Sequence, residues 1–290
     1  SAPMSRFRSN LMRIDAHQHF WSLARGDYGW LTPALGVIHR DFGPADLAPL
    51  LAVHDIERSI LVQAAPTEAE TAYLLDIAEK TPFVAGVVGW TDFDAPDAAE
   101  RIATLAADPL LVGLRPMVQD IPDDGWLARP ELTSAFEAMI ANGLVFDALL
   151  KPRHIAAMLT VLERHPDLAC VIDHGAKPDL VSGDLTAWRD SIGALARHPG
   201  LTCKLSGLVT EAGPDWTLET LRPVVEHLLA TFGPERLIFG SDWPVVTLRA
   251  SYAQWVEAAE TLLAGLTEAQ RIAVFGGNAA KLYLSQRGRN

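Results

Sequence analysis

The chain has 290 residues, of which 49% are hydrophobic and 21% charged, a composition that excludes disorder as the main state and allows one large domain. Its 36 acidic and 24 basic residues give a formal charge of −12, which argues against nucleic acid or an anionic membrane surface as the main partner, since both need a basic footprint. Two cysteines, Cys170 and Cys203, are too few for a disulfide framework and form no C-x-x-C pair, so a reduced, cytoplasmic setting is expected.

Residues 1–11 lack the apolar core of a signal peptide and read as an N-terminal extension or tag remnant. One undivided domain is expected over 12–290, with no apolar run near the ~18 residues of a membrane span. Strands are predicted at 13–17, 59–63, 83–90, 110–115, 144–149, 169–174, 201–206 and 237–241. Several are near-continuous apolar runs, such as Ile60-Leu61-Val62 and Leu237-Ile238-Phe239, as parallel strands covered on both faces require. Amphipathic helical stretches lie between them. Thr67-Glu68-Ala69-Glu70 reads as a capping box opening a helix that runs to about Lys80, and Thr267-Glu268-Ala269-Gln270 as another opening the last helix. Pro152 sits in the first turn of a helix over 152–163, and Asn142-Gly143 and Gly233-Pro234 stop helices just before strands. Eight βα units in one chain predict an α/β fold, the (β/α)₈ TIM barrel. A doubly wound sheet is the rival, but neither G-x-G-x-x-G nor a P-loop occurs.

In such a barrel the chemistry sits at the C-terminal ends of the strands. Strand one ends in His17 and His19, two residues apart on an extended segment and therefore on one side, able to grip a metal ion or an oxyanion; the plainer alternative is a pair of surface histidines. Strand six ends in His174 and strand eight in Asp242, followed by Trp243-Pro244. Singly these read as a satisfied buried histidine and a turn aspartate; together the four make a far more specific His₃Asp set. Arg115, ending strand four, can hold a carbonyl or carboxylate oxygen, or form an ordinary salt bridge. Lys151 and Lys204 are weaker candidates, and Asp147 is a structural partner for one of these bases. The long loop at 20–43 carries Trp21, Tyr28 and Trp30, rings suited to a sugar-like ligand or to a small satellite core.

The segments Ile14-Asp15-Ala16-His17-Gln18-His19-Phe20-Trp21, Gly113-Leu114-Arg115, Ile172-Asp173-His174, Gly240-Ser241-Asp242-Trp243-Pro244 and Gly277-Asn278-Ala279-Ala280-Lys281-Leu282-Tyr283 resemble the amidohydrolase superfamily. More narrowly, they are similar to the amidohydrolase-2 group and its sugar-lactonase branch. The resemblance implies hydrolysis of a sugar lactone such as L-fuconolactone. Asp242 would be the general base, His174 and Arg115 would act in catalysis, and His17, His19, Tyr28, Trp30, Lys151, Lys204 and Trp243 would contact substrate. It also implies one divalent ion, zinc first, on His17, His19, His174 and Asp242, or none. Strand four carries Arg115 where a bridging carboxylate or modified lysine would sit, and this argues against two ions. A metal-dependent decarboxylase of aromatic or muconate acids is the competing enzyme reading, and a non-catalytic binder of small acids the other.

Overall fold

The computed structural model describes residues 12–285; the expected extension over 1–11 lies outside the described residues. Eight parallel strands follow one another around the sheet in chain order: β1 (Arg13–Gln18), β2 (Ile56–Val62), β3 (Val84–Gly89), β4 (Leu111–Leu114), β5 (Val145–Ala148), β6 (Cys170–Ile172), β7 (Leu201–Leu205) and β8 (Leu237–Phe239). The ring closes just beyond β8, where the Asp242 N–H donates to the His17 carbonyl at 2.8 Å and the His19 N–H to the Trp243 carbonyl at 2.8 Å. The predicted (β/α)₈ barrel is therefore the fold. Its strand boundaries differ from the predicted ones by three residues at most: β2 begins three residues earlier, at Ile56, and β6 and β8 end two residues earlier, before Asp173 and before Gly240-Ser241.

The outer layer holds α1 (Pro44–Val53), α2 (Glu68–Lys80), α3 (Ala98–Ala106), α4 (Thr133–Ala141), α5 (Ile155–Arg164), α6 (Thr186–Ala196), α7 (Leu208–Ala212), α8 (Leu218–Phe232), α9 (Tyr252–Leu262) and α10 (Glu268–Ile272). Among the described residues, no helix is long and apolar enough to cross a membrane. The apolar core has two parts. A large one fills the space between strands and helices, and a smaller one, with Ile14, Ile60, Val112, Val145, Val171 and Ile238, fills the barrel. The chain's last described turns, Ala280–Leu284, are wide π-helical turns that carry Tyr283 into the smaller core.

Three local expectations are revised. Thr67 caps α2 as predicted, its Oγ1 accepting from the Glu70 N–H at 3.1 Å. Glu70, however, does not reach back to complete the box. Its buried carboxylate accepts from the N–H groups of Ala64 and Ala65 at 3.0–3.1 Å and so ties the end of β2 to α2. Those two donors sit at a strand end with no ladder partner, so they outbid the cap. The box at Thr267 and Gln270 forms in both directions, but α10 gives way after Ile272 to the π-helical turn Ala273–Gly277, which brings Gly276 against the backbone of Met12. Pro152 opens a 3₁₀ turn, Pro152–His154, ahead of α5.

Burial pushes the Glu70 carboxyl up to about 7, against the pull of its two backbone donors. The folded chain then keeps a proton that the unfolded chain loses near 4.5, so this group's contribution to stability is lost as pH rises from 4.5 through 7. Thermal unfolding measured from pH 5 to pH 8 should show a smaller decline for Glu70→Gln than for the parent. Equal declines would contradict this reading of Glu70.

Candidate active site

The barrel directs one histidine inward by a local irregularity. Between Asp15 and Gln18, three steps along β1 face two along β2, where Asp15 pairs with Ser59 and Gln18 with Leu61. Strict alternation from Ile14 and Ala16, both in the inner core, would turn His17 outward. The extra residue turns it inward instead, toward Lys204 of β7. His19, two residues on, keeps to the same side.

Two segments, the end of β1 and the turn after β6, then converge on a carboxylate oxygen carried by a third, after β8. Asp242 Oδ1 lies 3.3 Å from His19 Nε2, 3.6 Å from His17 Nε2 and 3.8 Å from His174 Nε2, all of them buried. His174 is placed by a left-handed turn after β6, in which His174, Gly175, Ala176 and Lys177 all have φ between 52° and 59°. Each non-glycine residue held there costs about 1–2 kcal/mol, strain of the kind that collects at functional sites. Gly207, itself at φ 68°, lets this turn approach β7, since a Cβ there would lie 2.7 Å from His174 Nδ1.

Below the histidines lies a buried ion cluster. Lys204 Nζ is 2.5 Å from Asp147 Oδ2, 3.2 Å from Asp173 Oδ1 and 3.1 Å from His17 Nδ1. Tyr283 O–H donates to Asp147 Oδ1 at 2.7 Å. Arg115 gives Nη1 to Asp173 Oδ2 at 3.2 Å, Nε to Gln63 Oε1 at 2.8 Å and Nη2 to the Gln63 carbonyl at 2.7 Å. Burial raises the Asp147 carboxyl to about 7 despite Lys204, while Lys204, Arg115 and His174 overcome burial at Asp173 and hold it well below the usual carboxylate range.

The hydrogen bonds fix which histidine nitrogens carry protons. His19 Nδ1 faces the Val62 carbonyl at 2.8 Å and must donate to it, so a neutral His19 turns a lone pair at Nε2 toward Asp242. Burial, reinforced by the Lys204 charge, keeps His17 neutral by moving its pKa well below the ordinary value. An ammonium only donates, so His17 Nδ1 accepts from Lys204, and the proton sits on Nε2, an atom with no hydrogen-bond partner of its own. Burial lowers His174 to about 4, against the opposing pull of Asp242. At Asp242 burial is outweighed by positive charge on His174 and a proton on His19 Nε2, which set the carboxyl below its usual value. A lone pair on His19 facing an ionised Asp242 oxygen at 3.3 Å calls for a cation or a proton between them. Imidazole and carboxylate donors suit a divalent ion there, and His17, His19 and Asp242 form one of two groupings that could hold it. In the other, His17, Asp173 and His174, the carboxylate of Asp173 is already committed to Lys204 and Arg115.

A cavity of about 250 Å³ opens over this cluster, lined among others by His19, Trp30, Arg115, His174, Lys177 and Asp242. A larger one of about 530 Å³ adjoins it, sharing Trp30, Met117 and Asp120, but it contains none of the histidines. Among the described residues, Tyr28, Lys151, Lys204 and Trp243 line neither cavity. Tyr28 and Trp243 are core residues around Trp21 and Phe42, Lys204 is wholly buried beneath His17, and the Lys151 amide is bound to His154 Nδ1. The aromatic loop thus divides, with Trp21 and Tyr28 building a satellite core and Trp30 facing the cavity. Asp147 is the structural partner of Lys204 that was expected. Gln63, Asp173 and Lys177 were not singled out. The first two carried a signal, since each is a polar residue directly following an apolar strand run at the level of the other strand ends. Lys177 gave none, because its placement depends on the left-handed turn.

The chain matches the family described as Amidohydrolase over residues 14–284. It is 49% identical over 275 residues to an L-fucono-1,5-lactonase of Burkholderia ambifaria, spanning 93% of this chain and 95% of that protein. It is 38% identical to an L-fucono-1,5-lactonase of Burkholderia multivorans, spanning 94% and 96%. Among solved structures, an amidohydrolase from Burkholderia multivorans with bound zinc superimposes with a TM-score of 0.89 at 38% identity, covering 94% of this chain and 99% of the other.

Removing the Lys204 ammonium leaves two carboxylates facing each other in the barrel. Lys204→Met should cost about 3–5 kcal/mol, read as a lower midpoint in thermal unfolding, and adding Asp147→Asn should recover part of it. An unchanged midpoint in the single variant would contradict the ion cluster.

Proposed function

This chain belongs to the amidohydrolase family, and on that premise we propose that it is a lactonase that opens the cyclic ester of a sugar acid, such as L-fucono-1,5-lactone, to the aldonic acid. The observation that carries this reading is the ionised Asp242, ringed by three imidazoles and facing a cavity that Arg115 and Trp30 also line. The two fuconolactonases, which match 93% and 94% of this chain, support the substrate class.

The residues divide the work as follows. Asp242, held ionised by its neighbours, accepts a proton from water, and the hydroxide oxygen adds to the lactone carbonyl. The resulting oxyanion needs donors already in place, each worth about 3–4 kcal/mol. His17 Nε2–H is unpartnered, and Arg115 keeps N–H groups beyond those bound to Gln63 and Asp173. His174 adds its own ring, anchored by Ser206 Oγ at 2.8 Å. Trp30 is fixed by its indole N–H to the Ala64 carbonyl at 2.7 Å and presents a flat apolar wall to one face of the sugar ring. The C–O bond then breaks, and the ring oxygen leaves as an alcohol, consuming a proton equivalent to the one Asp242 has gained.

Zinc is the ion proposed for this site, on His17, His19 and Asp242, with His17 in the tautomer that carries its proton on Nδ1 and so frees Nε2. When bound, a divalent ion supplies a Lewis acid for the carbonyl oxygen.

Asp242→Asn should lower kcat on L-fucono-1,5-lactone by at least about a hundredfold with an unchanged unfolding midpoint, in an acid-release assay with a pH indicator. A rate near that of the parent would remove Asp242 as the base. Chelator-stripped protein reloaded with zinc should bind one ion per chain by elemental analysis, and His19→Ala should bind none. Two ions per chain, or zinc retained without His19, would contradict this ligand set.

A further inference from the structure

Lys177 faces the catalytic cavity and has no part in the reaction as derived above. We propose that Lys177 is a catalytic residue, the acid that protonates the ring oxygen of the lactone as its bond to the carbonyl carbon breaks; this rests on the lactonase reading.

Three observations meet at this residue. Lys177 lines the cavity together with His19, Arg115, His174 and Asp242. It occupies the last position of the left-handed turn that also presents His174, three residues earlier, so the same strained backbone places both side chains at the cavity. Its ammonium is steered by Gln119 Oε1, on the turn Val118–Asp120 after β4, with Glu211 Oε1 farther off at 3.9 Å, and at least one of its three N–H bonds is free for the cavity.

The other donors around the cavity are unsuited to this step. The guanidinium of Arg115 does not give up a proton in proteins. His19 spends Nδ1–H on Val62 and turns Nε2 to Asp242, His174 bonds Ser206 through Nδ1 and faces Asp242 and the oxyanion with Nε2, and the Trp30 indole N–H is held by Ala64. The Lys177 side chain is 19% exposed, against 5–6% for Arg115, His19 and His174, so a lactone with its carbonyl down among those groups turns its ring oxygen outward, toward Lys177. Burial moves the Lys177 amine below its ordinary pKa, which makes the ammonium a better acid.

The step balances. The bond from carbonyl carbon to ring oxygen breaks, and its electron pair takes the Nζ proton to give the alcohol. The neutral amine then recovers the proton that Asp242 took from water, and the new carboxylic acid releases its own proton to solvent.

The test compares the parent with Lys177→Ala, Lys177→Met and Lys177→Arg on L-fucono-1,5-lactone, whose leaving group is an alkyl alcohol, and on dihydrocoumarin, whose phenol leaves without help. The Met and Ala variants should lose at least about a hundredfold in kcat on the sugar lactone, and less than tenfold on dihydrocoumarin. Ethylammonium should restore Lys177→Ala in proportion to its concentration. Arginine should not restore activity, since it keeps the charge without a transferable proton. Equal losses on both lactones, full activity with arginine, no rescue by ethylammonium or no loss at all would each overturn the assignment. If the parent itself opens no sugar lactone, the failure belongs to the proposed function instead.

Discussion

A carboxylate withdrawn from water has to be matched by positive charge or by donors, and the site is organised around that demand at Asp242. Its Oδ1 lies between 3.3 and 3.8 Å from three imidazole nitrogens contributed by two different strand ends. None of the three is a generic neighbour. His19 offers a lone pair, His17 offers a proton, and His174 is hinged on Ser206. The site can therefore accept a proton at one point and stabilise negative charge at another a few ångströms away, which is what addition of water to a carbonyl requires.

The barrel supplies this arrangement at a cost it meets below the site. Lys204, Asp147, Asp173 and Arg115 are charged groups inside a parallel barrel, where burial alone is unfavourable. They are tolerated because each is paired, and the pairing does more than neutralise them. The Lys204 ammonium takes the Nδ1 lone pair of His17 and so leaves the proton of that ring on Nε2, toward Asp242, while Asp173 and Gln63 hold the guanidinium of Arg115 in one orientation. The strained left-handed turn at His174 to Lys177 is the second cost, offset by packing under Gly207.

The eight strands and the convergence of His17, His19, His174 and Asp242 were legible because apolar runs and the polar residues that end them are local signals. What escaped was set by tertiary geometry. The extra residue in β1 that turns His17 inward leaves no mark in the hydrophobic pattern, and Glu70 looks like a capping residue until the two donors of Ala64 and Ala65 are placed beside it. Lys204 read as a contact for substrate because it lies on strand seven near its end, yet Leu205 of β7 lies beyond it and Lys204 sits beneath His17. Trp243 and Tyr28 read as sugar platforms and are core, since the long loop closes over its own aromatic rings. Lys177 could be placed only once the handedness of its turn was known.

The central claim is that Asp242 activates water and forms no covalent bond with the substrate. A single turnover of L-fucono-1,5-lactone in ¹⁸O-water, with enzyme in excess, tests it directly. General-base catalysis predicts one ¹⁸O atom in the product carboxylate after that first turnover, with the peptide that contains Asp242 unlabelled by mass spectrometry. An unlabelled first product, with ¹⁸O appearing in Asp242 itself, would show that the carboxylate attacked the lactone and would contradict the claim.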